Sequence, residues 1–260
     1  MNPYKRIAKN LKWIKSTFKN APKFSFPLST KKSIQESESP AERHERITRE
    51  MLEVSTALAK RGWYTNMDMP FQFLFSLNRL LKANKSRGVD KMMVTYLQQT
   101  FEEVENGILS AFPLRAQILS AAFRAHSKKA YTLSVPVFLA QADGICSELL
   151  GVGVYSRKKG VPHTASTVEQ FKHDKLLFAL LEPLRVAGAL NAYEDEKHEY
   201  PDILNRHEVL HGKSLDYATE LNSFRAISLL SYLCSVVQGA FWLEEVSKEM
   251  EESKQQQAKI

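Results

Sequence analysis

The residues best placed for chemistry lie in Leu204-Asn205-Arg206-His207-Glu208-Val209-Leu210-His211-Gly212. Pro201 suits a first helical turn and Gly212 suits a stop, so the stretch reads as a short helix. His207 and His211 would share one face, about 40° apart, with Arg206 about 140° from His211 but long enough to reach round. Ile203, Leu204, Val209 and Leu210 would form the buried side. Three kinds of chemistry compete. The first is none: a surface helix with incidental charge. The second is zinc, because His207-Glu208-x-x-His211 matches HExxH. The third is phosphate chemistry, with an arginine and a histidine on one helix.

Catalytic zinc needs a third protein ligand. The longer metzincin pattern is broken by Ser214 and Tyr217, and Glu220 follows His211 too closely for an easy fit. RNA cleavage without metal needs a base for the 2′-hydroxyl, an acid for the 5′-oxygen and positive charge on the phosphorane. Histidine titrates near neutrality and serves as base or acid. Arginine forks onto phosphate oxygens and stays charged. One such helix supplies half a site, so this reading requires two copies of the helix, and a homodimer, around one phosphate.

The elements that must hold this helix are themselves helices. Ser39-Pro40-Ala41-Glu42 is a capping box and opens a helix to Arg61, stopped by Gly62. Pro70 begins another, to about Gly88; Asp90 caps a third, to about Gly107; a fourth runs from Phe112-Pro113 to the basic patch Arg124–Lys129. Tyr131–Leu150 is a fifth, with Pro136 inside it. Ser166-Thr-Val-Glu169 is a second capping box, opening a helix through Leu181 that ends near Asn191 after Pro183. After an acidic loop, Tyr193–Glu199, come the Arg206–His211 helix and a long last helix from Thr219. Its apolar residues Leu221, Phe224, Ile227, Leu230, Cys234, Val237 and Phe241 recur at helical spacing. No strand pattern and no internal repeat is visible, so the fold class is all-α.

The chain of 260 residues carries a net charge of +7, unevenly spread. Residues 1–32 hold nine basic residues and no acid, leaving −2 on the rest. Tyr4, Ile7, Leu11, Ile14 and Phe18 make that arm a basic amphipathic helix, suited to the protein's own body, a partner subunit, phosphates or an anionic membrane surface. Cys146 and Cys234 sit apart in apolar runs, which suits buried thiols in a reducing cytoplasm. No transmembrane span is expected, since the best candidate, Tyr131–Leu150, is broken by Pro136, Gln141, Asp143 and Glu148. No phosphate-binding glycine loop and no Gly-x-Ser-x-Gly elbow is present. Arg124, Lys128 and Lys129, and Arg157, Lys158 and Lys159 in an exposed loop, form two patches that could gather an RNA backbone. His126, His163, His173 and His198 are read as surface residues. The regions are 1–38, arm and linker; 39–129, N-terminal helices; 130–245, the helices carrying the site; and 246–260, a charged tail.

Arg206-His207-x-x-x-His211 resembles the R-(polar)-x3-H motif of the HEPN superfamily. Its flanks resemble a bacterial HEPN-type group: Asn205 and Gly212 around the motif, then Asp216-Tyr217-Ala-Thr219-Glu-Leu-Asn222-Ser223 leading into an apolar helix. Ser134-Val-Pro136-Val-Phe-Leu-Ala-Gln141-Ala-Asp143-Gly144-Ile145 resembles the helix packed beside the motif. The likeness covers about residues 130–243; before that only Gly62-Trp63-Tyr64 shares it. The resemblance implies a HEPN-like helical bundle with additional N-terminal helices. It implies a homodimer and a metal-independent endoribonuclease that leaves a 2′,3′-cyclic phosphate and uses no cofactor. Toxin or anti-phage abortive-infection roles go with it, with an antitoxin or sensor protein as a partner. By that resemblance Arg206 and His211 are catalytic, His207 is the polar position, Asn205 supports them and Asp143 lines the site. A HEPN-like module that binds nucleotide, RNA or protein without catalysis stays open beside it, as does the zinc hydrolase of His207, Glu208 and His211.

Overall fold

The structure is a computed structural model that describes residues 38–192, 196, 200 and 203–243. The basic arm and nearly all of its linker, Pro201, His198, most of the acidic loop and the charged tail lie outside the described residues.

The described chain is overwhelmingly helical. Ser39 caps α1 (Pro40–Ala59): its hydroxyl accepts from the Glu42 amide while the Glu42 carboxylate takes the Ser39 amide, the reciprocal pair expected. Gly62, at φ +73°, turns the chain out. α2 (Phe71–Lys82) ends well before Gly88, which instead lies inside α3 (Ser86–Gln99). Asp90 is therefore no cap. It accepts from the Trp63 indole at 2.7 Å and from Arg225 at 3.3 Å. The expected third helix is two, because the chain breaks at Thr100 before α4 (Phe101–Ala111). A single 3₁₀ turn leads into α5 (Ala116–Ser127).

α6 (Tyr131–Leu150) runs through Pro136 and stops at Gly151, φ +76°. A hairpin then follows that the sequence pattern did not show: β1 (Arg157–Lys158) pairs antiparallel with β2 (Val161–Pro162). Lys159 and Gly160, both at positive φ (52° and 79°), close it as a type I′ turn. The Ser166 capping box is not formed. A short helix, α7 (Thr164–Val168), passes into 3₁₀, and Asp174 caps α8 (Lys175–Leu181) by accepting from the Leu177 amide at 2.9 Å. α9 is Arg206–Leu210, and α10 runs from Glu220, capped by Thr219, to Tyr232. A π-turn, Leu233–Val237, continues α10 towards Leu243.

One contiguous core joins the N-terminal helices to the rest, from Met51 to Ala240. α6 and α10 are its axis, with α5 against α6 and with α2 and α8 against α1. By length and composition both Tyr131–Leu150 and Glu220–Leu243 could cross a membrane, although the polar residues in the first predict no span. Both pack into the core, α10 the more fully, and a central core helix meets the same criterion. The two cysteines are buried free thiols, and burial pushes the Cys146 thiol up to about 12.

α10 is buried on all sides from Ser223 to Tyr232, so the polar residues between its apolar ones do not face water. They are Arg225, which donates to Asp90, and serines, three of which on α10 and its continuation hold the turn after α1. Ser228 Oγ accepts from the Tyr64 amide, Ser231 Oγ from the Asn66 side chain, and Ser235 Oγ from the Met67 amide. Two amides and one side chain of the turn after α1 are thereby held without a strand or helix of its own, while Thr65 Oγ1 in the same turn is buried without a partner.

Candidate functional site

α9 has only five residues, and its two ends are fixed by side chains and a glycine rather than by length. Asn205, extended at φ −108° and 7% exposed, is the N-cap. Its Oδ1 accepts from the His207 amide at 2.9 Å and the Glu208 amide at 3.3 Å. Its Nδ2 donates to the Ala192 carbonyl at 3.2 Å, tying the cap to the segment before the acidic loop. At the other end the His211 amide returns to the His207 carbonyl, Gly212 turns at φ +69°, and the Lys213 and Ser214 amides close on the Glu208 carbonyl. Leu204 and Val209 are buried, but Leu210 is 43% exposed, so the expected apolar face is only half formed.

The helix rests on α6 and on the 3₁₀ turn Ala189–Asn191. The imidazoles of His207 and His211 lie with ring centres 4.3 Å apart, as the four-residue spacing requires. His211 is exposed and His207 half-buried. Arg206 turns the other way. Its guanidinium stands 5.0 Å from the Tyr155 ring centre and reaches the Tyr155 carbonyl at 3.5 Å. Its Nε is buried without a hydrogen-bond partner. A contact of 3.5 Å is at the outer limit of hydrogen bonding, so the guanidinium is positioned but weakly satisfied.

Tyr155 is the site residue that sequence reading missed; only its place just after Gly151-Val-Gly153 marks it. Its hydroxyl donates to the Leu139 carbonyl at 3.1 Å and its amide to Asp143 Oδ1 at 3.4 Å. Burial holds that phenol well above its ordinary range, aided by Tyr64 and Asp143 and opposed by Arg206. Asp143 thus meets the turn that carries Tyr155. No hydrogen bond or ion pair joins Asp143 to Arg206 or His211 among the described residues. Gly153 packs so tightly on Asp143 that a Cβ there would lie 2.5 Å from Oδ1.

The two basic patches part company. Arg124, Lys128 and Lys129 are exposed at the end of α5, and Lys158 and Lys159 are exposed on the hairpin turn. Arg157 corrects the expectation of an exposed loop cation: it is buried, doubly bonded to Glu196 at 2.5 and 2.9 Å and donates to the Gly160 carbonyl. Its charge is spent inside the fold. His126 is a second correction. It is buried, not at the surface; Nδ1 meets Ser223 Oγ at 2.8 Å, and its ring packs on Phe101 and Phe224. Burial pushes its pKa down to about 4. His163 and His173 are exposed.

Among the described residues, no group of three His, Cys, Asp or Glu side chains is arranged to hold a metal ion. Glu220, the third ligand that zinc would need, accepts instead from Gln98 at 3.1 Å. No family model, curated protein or solved structure matches this chain.

Proposed function

We propose that this chain is a metal-independent endoribonuclease of HEPN type that acts as a homodimer, in the manner of a toxin or an anti-phage abortive-infection effector. The observation that carries the reading is the make-up of α9 and its C-cap: a weakly satisfied arginine and a close, tilted pair of imidazoles within six residues, with His211 open to solvent. The sequence resemblance around the same residues supports it.

In this reading His211 moves the proton, from the 2′-hydroxyl or to the departing 5′-oxygen, and its counterpart on the second subunit does the other half. The 2′-oxygen bonds to phosphorus as the 5′-oxygen leaves, giving a 2′,3′-cyclic phosphate and a 5′-hydroxyl. Arg206 stabilises the phosphorane charge and exchanges its weak contact with Tyr155 for phosphate oxygens. His207 takes the motif's polar position and keeps the His211 ring in place. Asn205 and Asp143 act at one remove, Asn205 by capping the helix and Asp143 by holding the Tyr155 turn. The dimer face is the surface of α9 and the loop after it, where Leu210 (43% exposed) and Leu215 (93% exposed) flank His211. Exposed apolar side chains beside a half-site suit contact with a second copy.

One observation favours a second reading, a HEPN-like binding module without catalysis. Arg206 already has a structural occupation, pinning α9 to Tyr155. Cleavage of end-labelled RNA in excess chelator, compared with the Arg206→Ala/His211→Ala variant, separates the two. Cyclic-phosphate ends from wild type alone support the ribonuclease; intact RNA that is nevertheless bound supports the module.

A further inference from the structure

Two adjoining clefts run along the outer side of α1 and α2. The first, about 490 Å³, is walled by Arg49, Phe75 and Arg79, and the second, about 890 Å³, by Lys60, Arg61 and Asp90. They share Glu53, Asn78 and Lys82 and so form one continuous trough.

The charges in it do not balance. Each acid is answered by a base: Glu50 by Arg46 at 3.5 Å, Glu53 by Lys82 at 2.6 Å, and Asp90 by Arg225 at 3.3 Å. Lys60, Arg61 and Arg79 pair with no carboxylate among the described residues, and Arg49 has only a charge interaction with Glu53, which Lys82 already bonds. Two of the four are nevertheless aimed, since Arg61 donates to Ser86 Oγ at 2.6 Å and Arg79 to Ser76 Oγ at 3.0 Å. Arg49 and Lys60 lie about 16 Å apart along α1 at 1.5 Å per residue, a span for a chain of anionic groups rather than one. Phe75 adds an aromatic wall, and Phe71, 44% exposed at the rim beyond the cleft lining, is stacked on it at 6.3 Å and 20°. Surplus cations along a trough with an accessible aromatic pair are what a single-stranded nucleic acid uses, backbone on the charges and bases on the rings. The cationic arm of this chain has the wrong sign to fill it.

We propose that the α1–α2 trough binds single-stranded RNA, holding phosphates with Arg49, Lys60, Arg61 and Arg79 and stacking bases on Phe71 and Phe75. The choice of RNA rests on the ribonuclease reading, but binding is measured apart from cleavage.

The test is fluorescence anisotropy of a labelled oligouridylate on the full chain carrying Arg206→Ala/His211→Ala, so that cleavage cannot intrude. Into it go Arg49→Gln/Arg79→Gln, Lys60→Gln/Arg61→Gln and Phe71→Ala, each checked for a wild-type circular-dichroism melt. Arg124→Gln/Lys128→Gln/Lys129→Gln measures the rival basic patch at the end of α5; binding lost there while all three trough variants bind normally would overturn the proposal. Each trough pair should weaken binding about fivefold or more and lower the slope of log affinity against log salt by about 1.4, for two phosphates lost. Phe71→Ala should weaken it at least about fivefold with the slope unchanged. Wild-type affinity and slope in all three trough variants would overturn the proposal. So would an unaltered RNA affinity accompanied by lost binding of labelled polyglutamate, which would mark a site for acidic polypeptide. If the wild-type chain cleaves RNA and the trough variants still bind normally, the trough fails and the ribonuclease stands. If the variants lose binding in a chain that never cleaves, the trough stands alone.

Discussion

Arg206 and Asp143 share no hydrogen bond or ion pair among the described residues, yet both are bound to the same residue: the arginine lies over the Tyr155 ring and on its carbonyl, and the carboxylate accepts its amide. α9 and α6 are therefore coupled through a buried tyrosine on the turn between α6 and the hairpin. The candidate catalytic arginine is aimed from below by that turn rather than by its own short helix.

Introducing the clash that Gly153 avoids provides a direct check of this coupling. Gly153→Ala should destabilise the fold by about 1–3 kcal/mol, because the new Cβ would meet Asp143 Oδ1 at 2.5 Å. Adding Asp143→Ala should recover part of that loss, and a double-mutant cycle of urea melts reads the recovery. Strictly additive losses would mean that the two residues do not meet.

The cap is the next weak point. Asn205→Ala removes the acceptor for two amides and the donor to the Ala192 carbonyl, and should cost about 1–2 kcal/mol. Asn205→Asp keeps the acceptor and loses only the donor, so it should cost less. Equal losses in thermal denaturation would show that the cap contributes nothing of its own.

Acid sensitivity should come from a residue outside the candidate site. His126 has a folded-state pKa of about 4 against an ordinary 6.5, so as pH falls the unfolded chain takes up the proton first. This group's contribution is complete above about pH 6.5, declines between there and about pH 4, and amounts to about 3 kcal/mol in all. Urea midpoints at several pH values should fall through that window in wild type and fall less steeply in His126→Gln. Identical slopes would mean that the imidazole is solvated in the fold.

Much of this architecture was legible in the chain. Ser39 and Glu42, Gly62, Thr219 and Gly212 all act where their types predict, because capping and left-handed turns depend on one or two side chains read locally. What was not legible depends on distant partners. Ser166 and Glu169 have the letters of a capping box, but packing made Asp174 the cap instead. Arg157 looked like part of a solvated run with Lys158 and Lys159, but Glu196 draws it inside. His126 looked like a member of a basic patch because Arg124, Lys128 and Lys129 surround it in sequence; on a helix it faces the other way, onto Ser223. The four-residue pairing of His207 with His211 was readable, whereas Tyr155, 51 residues before Arg206, was not.

The central claim is that α9 cuts RNA without metal. Its most direct test is incubation of the purified full-length chain with end-labelled total RNA in excess EDTA, beside Arg206→Ala, His211→Ala and the double variant. The account predicts cleavage by wild type with 2′,3′-cyclic phosphate ends, a loss of at least about 100-fold in each single variant, and little further loss in the double. Cleavage that survives both substitutions, or that appears only when the chelator is left out, would contradict it.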